Sequence, residues 1–370
     1  MDEGLTAPVA RARGRVDDRG RGTGGTPIFA ALDLGTNNCR LLIAARTSNG
    51  FRIVDAFSRI VRLGEGLSMS GRLGEAAMGR AIAALAICAD KIDRRGASRV
   101  SAVATQACRT AANGASFLTE VAEKTGLRLA IISPREEAQL SVAGCLNLLD
   151  REARAALVVD VGGGSTEMSW IDLAAPGLDE GSRRVAHWRL PIKAWLSIPI
   201  GVVTLAERFP EGAGDGIAWF RAMVEAMKGP IAAFRRAEDF RGIFASGRAH
   251  LVGTSGAITS LAGVHLGLAR YDRGRVDGLW MTRSECDAVT GRLAALTVGE
   301  RAEQPCIGPD RADLVMAGAA ILTAVQELWP CERVRVADRG LREGLLLSLM
   351  SGAGRGRRRR RASARQVAMA

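Results

Sequence analysis

Two acidic residues, Asp160 and Glu167, bracket three glycines and two hydroxyls in the stretch VVDVGGGSTE. These residue types suit phosphate chemistry. Gly162, Gly163 and Gly164 leave backbone N–H groups bare, and Ser165 and Thr166 add small donors, so a phosphate can approach without meeting side-chain bulk. Asp160 and Glu167 offer hard oxygen ligands to a divalent cation facing the same phosphate. A hairpin whose glycines serve only its turn would carry the same residues. The motif recurs, however: LDLGTNN, with Asp33, Gly35, Thr36 and Asn37, repeats the order strand, Asp, aliphatic, Gly, small polar.

Two further stretches carry candidates. In IISPREEAQL, Ser133, Pro134 and Glu136 fit N-cap, N1 and N3 of a helix with a capping box. Glu137 is then left over in the first turn at a strand-to-helix junction, as a ligand-facing group or as a surface acid favoured by the helix dipole. In HLVGTSGAITS, the loop Gly253, Thr254, Ser255, Gly256 precedes a helix, so its N–H groups could hold an anion or could simply permit close packing.

The elements that must position these groups follow from periodicity. Apolar runs at 28–34 and 157–159 read as buried strands, and each is followed by a second strand. Further strands are predicted at 51–57, 59–63, 100–104, 127–132, 250–253 and 334–336. Helices are predicted at 75–93, 215–236, from Thr282, from Pro309 and at the end of the chain. Two copies of one phosphate-gripping hairpin predict a duplicated α/β fold with a cleft between its halves. The expected organisation is a disordered leader at 1–27, domains at 28–150 and 151–350, and a disordered tail at 351–370.

Composition narrows the function classes. The tail has seven arginines and no acid, more than half of the net charge of +12. It reads as a solvated end or as a handle for polyanions. No aromatic residues are interleaved there, which disfavours base stacking. No apolar run approaches the roughly 18 residues of a membrane span, and the leader lacks the apolar core of a secretory signal. Seven scattered cysteines without a C-x-x-C pair suggest reduced, buried thiols and a cytoplasmic protein. Three histidines without ligand spacing, the lack of a G-x-S-x-G elbow and the lack of a Walker A pattern disfavour zinc chemistry, histidine-based hydrolysis and a P-loop.

Taken together, ALDLGTNNCRLLIA, ATQACRTAANG, IISPREEAQLSVAG, VVDVGGGSTEMSW and VGTSGAITSLAG resemble, in order and spacing, the exopolyphosphatase / guanosine pentaphosphate phosphohydrolase family, over roughly residues 28–347. The resemblance implies two ribonuclease-H-like domains of the actin–hexokinase–Hsp70 superfamily with the active site in the interdomain cleft. It implies hydrolysis of a terminal phosphoanhydride of inorganic polyphosphate or of pppGpp, with Mg²⁺ (or Mn²⁺), in a protein that is commonly a homodimer. A kinase-like nucleotide-binding protein of the same superfamily, with residues 253–256 at an adenosine, is the more distant alternative.

By motif match Glu137 corresponds to the catalytic glutamate, Arg109 to a clamp on phosphate oxygens, and Asp160 and Glu167 to the metal-site acids. Gly35, Thr36 and Asn37 match one phosphate turn and Gly162 to Thr166 the other, with Asp33 and Gly253 to Gly256 around them. Asn38 and Thr204 depart from the family pattern, where Ser and a basic residue are common, and Pro134 stands where Gly is frequent. From the helix dipole alone, Glu137 is expected to have a lowered pKa, ionised at neutral pH and weakly basic.

Overall fold

The structure, a computed structural model, describes residues 26–48, 50–175, 190–212 and 215–351. Apart from their innermost residues, the expected leader and the Arg-rich tail lie outside the described residues. Two mixed sheets organise the chain. The first runs β3 (Gly50–Ile60), β2 (Asn38–Thr47), β1 (Ile28–Leu34), β4 (Arg99–Ala104), β5 (Ala130–Ile131). The second runs β8 (Ile192–Ile198), β7 (Thr166–Asp172), β6 (Ala155–Val161), β9 (Ala249–Thr254), β11 (Arg333–Ala337), β10 (Trp280–Thr282).

In each sheet an antiparallel three-strand meander leads from the central strand to one edge, and a parallel strand flanks that central strand on the other side. Two sheet-containing α/β domains are therefore built to one order. Their central strands read as continuous apolar runs because both faces are covered. Phe29, Ala30, Ala31 and Leu32 are buried in β1, as are Leu157, Val158 and Val159 in β6.

The covering helices cross over. The Pro134–Cys145 helix leaves the first sheet, yet Val142 and Cys145 pack on Ala156, Val158 and Val252 of the second. The final helix, residues 341–351, leaves the second sheet, yet Leu345, Leu346 and Leu349 pack on Phe29, Ala31, Leu42 and Val103 of the first. The two helices meet backbone to backbone where they cross. A Cβ on Gly144 would lie 2.0 Å from the Gly340 carbonyl oxygen, and one on Gly344 would lie 2.0 Å from that of Leu140. Only glycine permits this approach.

Three elements differ from expectation. β3 runs unbroken to Ile60, opposite Asn38, and absorbs the start of the strand expected at 59–63. β5 pairs with β4 over only Ala130 and Ile131, so most of the expected 127–132 strand is irregular. The helix expected from Pro309 begins at Val315. Residues 309–314 form turns instead: the Arg62 guanidinium donates to the Asp310 carbonyl, and Leu314 N–H turns back to Arg311 O. A tertiary contact thus takes the carbonyl that a helical turn would use.

Candidate active site

The duplicated hairpins place their aspartates at equivalent points, with different partners opposite. Asp33 on β1 pairs with Arg40 on β2, whereas Asp160 on β6 pairs with Glu167 on β7. Adjacent strands bring directly opposed side chains to one face, so one hairpin presents an acid and a base and the other two acids. Their turns abut. A Cβ on Gly163 would lie 3.0 Å from Asn37 N, and one on Gly164 2.7 Å from Thr36 Oγ1.

Carbonyl contacts behind each turn orient its donors. Val202 N–H and Val203 N–H bond to the carbonyls of Gly162 and Gly163 at 3.0 and 2.8 Å. A trans peptide points its N–H opposite to its C=O, so the N–H groups of Gly163 and Gly164 are aimed the other way, into the cavity that both residues line. In the first turn Gly64 N–H bonds to Thr36 O, while Val61 N–H and Arg62 N–H bond to Asn37 O. The N–H groups of Asn37 and Asn38 are turned away in the same manner.

Around this cavity the structure gathers Asp33, Gly35, Thr36, Asn37, Glu137, Asp160, Gly162 to Ser165, and Thr254 to Gly256. Ser255 has φ 129°, a strained value for a residue with a side chain, at the point where β9 turns into its helix. Other candidates stand back from the cavity lining. Thr166 is fully buried and its hydroxyl donates to Ile200 O at 2.8 Å. Gly253 lies within β9 against Ile258, where it gives strand–helix clearance. Glu167 is 2% exposed and accepts from Ser197 Oγ at 2.9 Å.

Glu137 and Arg109 form a partly buried pair, with side chains 12% and 17% exposed. The capping box is present as read, with Ser133 N–H donating to Glu136 Oε2 at 2.9 Å and Glu136 N–H to Ser133 Oγ at 3.2 Å, so Glu137 is free of capping. Its Oε2 accepts from Arg109 Nη1 at 3.1 Å. Arg109 also donates to Ile132 O and Gln106 Oε1, so three bonds to protein acceptors hold its guanidinium. As placed here, it orients Glu137.

The expected lowering of the Glu137 pKa is reversed. Burial pushes it well above the usual carboxylate range, the negative charge of Glu167 adds to this, and Arg109 offsets only part. The helix N-terminus acts on an exposed carboxylate; here desolvation and like charges outweigh it. Burial and Asp160 likewise raise Glu167 to about 7. Burial raises Asp33 to about 6 against the pull of Arg40 and Arg342, and burial raises Asp160 against the Ser141 hydroxyl, 2.5 Å from its Oδ2.

Four acids held this way fit a divalent cation, since added positive charge would relieve their desolvation and mutual repulsion. Asp33 Oδ1, Asn37 Oδ1 and Asn38 Oδ1 are buried without partners, and the donor set is all oxygen, as Mg²⁺ prefers. Among the described residues no three carboxylate, histidine or cysteine side chains converge as a closed metal cage. An ion placed here would be held by one or two carboxylates, with oxygens from outside the protein completing its shell.

Sequence reasoning did not single out Arg40, Arg311, Arg339 and Arg342, which line the same cavity. Arg40 could have been found from its register opposite Asp33, and Ser141 from its i+4 spacing to Glu137. The arginines after residue 300 come from distant elements and leave no local signal.

Two α/β domains thus bring two turns with outward-facing backbone N–H groups against buried acids, an arrangement that suits a phosphate ligand. Residues 42–353 match the model of the Ppx/GppA phosphatase family, and the chain belongs to that family. It is 28% identical over 326 residues to the guanosine-5'-triphosphate,3'-diphosphate pyrophosphatase of Aeromonas hydrophila, in a match covering 88% of this chain and 60% of that protein's length. It is 29% identical to exopolyphosphatase 2 of Mycobacterium tuberculosis, over 86% of this chain and 98% of the relative. The crystal structure of the Aquifex aeolicus family member superposes with a TM-score of 0.68 at 26% identity, over 89% of this chain and 99% of that one. Among the described residues no helix is long and apolar enough to cross a membrane.

Proposed function

We propose that the chain hydrolyses the terminal phosphoanhydride of inorganic polyphosphate. The observation that carries this reading is Glu137: a carboxylate fixed by Arg109, lining the same cavity as the two donor turns. In this reading the turn N–H groups and the Ser165 and Thr36 hydroxyls hold the terminal phosphoryl group. Glu137 orients a water in line with the phosphorus and takes its proton as the new P–O bond forms and the anhydride P–O bond breaks. The remaining chain leaves as a phosphate oxyanion toward the arginines. Asp160 and Glu167 would hold the divalent cation, whose chemistry is to neutralise charge on the non-bridging oxygens. The duplicated sheet order supports the ribonuclease-H-like, actin-type assignment of both domains.

Arg40, Arg311 and Arg342 line the same cavity and support a polyanionic substrate that continues beyond the terminal phosphate, while Arg339 is held by Asp277. The second reading, pppGpp, is favoured by the similarity to the Aeromonas enzyme. Side-by-side phosphate release from short polyphosphate, long polyphosphate, pppGpp and ATP ranks them. Polyphosphate is expected to lead and ATP to trail; no Mg²⁺-dependent release from any of them would overturn the hydrolase reading. Deleting residues 351–370 is expected to weaken long chains more than short ones, with the difference shrinking in added salt. Equal losses at all lengths would remove the tail from the mechanism.

Glu137 must be ionised to act as base, and burial raises its pKa. The acid limb of kcat/KM is therefore expected above the ordinary carboxylate range. Arg109→Gln removes a charge that lowers this pKa, so the limb should move to still higher pH. A pH–rate profile of both proteins checks the direction.

A further inference from the structure

The segment 61–68 has two sets of contacts that belong to different parts of the molecule. Behind the first phosphate turn, its backbone N–H groups bond to Thr36 O (from Gly64, 2.9 Å) and Asn37 O (from Val61, 2.8 Å, and Arg62, 3.0 Å). A Cβ at Gly64 would lie 2.2 Å from Thr36 Cγ2, so the Thr36 side chain would have to turn aside. Arg62 adopts φ 47°, a left-handed conformation unusual for a residue with a side chain. Arg80 Nε holds the segment from behind through Val61 O at 2.9 Å.

The second set spans the cleft. Arg62 forks onto both oxygens of Asp313 at 2.9 and 3.2 Å. Glu207, on the Val202–Arg208 helix, accepts from Gly66 N–H at 2.9 Å and from Ser68 Oγ at 2.6 Å. That helix is the one whose first N–H groups hold the carbonyls of Gly162 and Gly163 behind the second phosphate turn. The two supports that aim the donors of the two turns are thus tied directly to each other across the cleft. The Arg62 and Asp313 side chains are 34% and 40% exposed, so this contact is one that water can replace.

We propose that residues 61–68 form a latch that couples closure of the cleft to the orientation of the first phosphate turn, with Arg62 and Glu207 as its positioning residues. Neither side chain lines the cavity beside the two turns. When the latch is made, the N–H groups of Asn37 and Asn38 face those of Gly163 and Gly164. When it is broken, the cleft opens for exchange of substrate and product, and the first turn loses the support on its carbonyl side. The proposal rests on the reading of the two turns as substrate-phosphate grips.

Backbone hydrogen exchange of the full chain, with and without inorganic phosphate, tests it on Arg62→Ala, Glu207→Ala and Glu207→Gln. Glutamine can still accept from Gly66 N–H and donate to Ser68 Oγ, so it should behave as wild type. Amides of 61–66 are expected to exchange about tenfold faster in the two alanine variants, the size expected for losing hydrogen bonds to a charged group. Phosphate should slow them in every variant. In phosphate release from short polyphosphate, KM should rise about tenfold in Glu207→Ala while kcat changes far less, and Glu207→Gln should restore it. Unchanged exchange in both alanine variants, or faster exchange with an unaltered KM, would overturn the latch. If wild type releases no phosphate, the hydrolase reading fails, and the exchange arm still decides the latch.

Discussion

Glu137→Gln is expected to lower kcat by about a hundredfold to ten-thousandfold, the range that a positioned general base supplies, without loss of the fold. Glutamine keeps the volume and can still accept from Arg109 Nη1, so the cavity wall stays in place. The stability change runs opposite to the activity change. Glu137 is an acid whose pKa is raised in the folded state, so the unfolded chain ionises first as pH rises. The folded state therefore loses stability above the unfolded carboxylate pKa, progressively until Glu137 itself ionises. Glutamine removes that loss. Thermal melts of the two proteins should coincide at low pH, and the variant should melt higher at neutral pH. Unaltered turnover in Glu137→Gln would remove this residue from the chemistry.

Gly344→Ala is expected to injure both stability and catalysis from a position outside the site. The added methyl would lie 2.0 Å from the Leu140 carbonyl oxygen, backbone that cannot rotate aside. The Pro134–Cys145 helix and residues 341–351 must separate. Overpacking of this kind destabilises by about 1–3 kcal/mol. The displaced helix carries Glu137 on its first turn and Ser141, which bonds to Asp160, one turn later. A shift of about 1 Å in a reacting group is enough to reduce rate by about a hundredfold. Denaturant unfolding and kcat/KM measure the two effects. Gly79, whose Cβ would meet nothing, is the control: on an exposed helix turn, alanine there should be neutral or stabilising.

Much of the architecture was legible because it is local. The run of apolar residues before Asp33 and Asp160 requires buried strands, and the glycines after Asp160 require bare backbone. Ser133, Pro134 and Glu136 determine a helix start through hydrogen bonds made within four residues, which is why Glu137 could be singled out. The repetition of the hairpin implied two equivalent halves, and both sheets have that order. Where expectation and structure part, a distant group competes for the same atoms. Asp310 O accepts from Arg62 rather than from a helical N–H. The Thr166 hydroxyl is taken by Ile200 O rather than by a phosphate.

Which residues are donors, which are acids and which turns are bare follows from residue type and near spacing alone. Tertiary structure decided their chemistry. Glu137 at a helix start should be a weak base by local electrostatics; burial beside Glu167 and Asp160 makes it a stronger one. Arg109, a phosphate clamp by motif match, is placed by the fold in bonds to Ile132 O, Gln106 and Glu137. Two helices that cross through Gly144, Gly340 and Gly344 bring the two sheets into register, and no local pattern records that crossing. The physical reason is range: hydrogen bonds within a turn are specified by neighbours in sequence, whereas desolvation and Coulomb interactions are set by whatever the fold brings near.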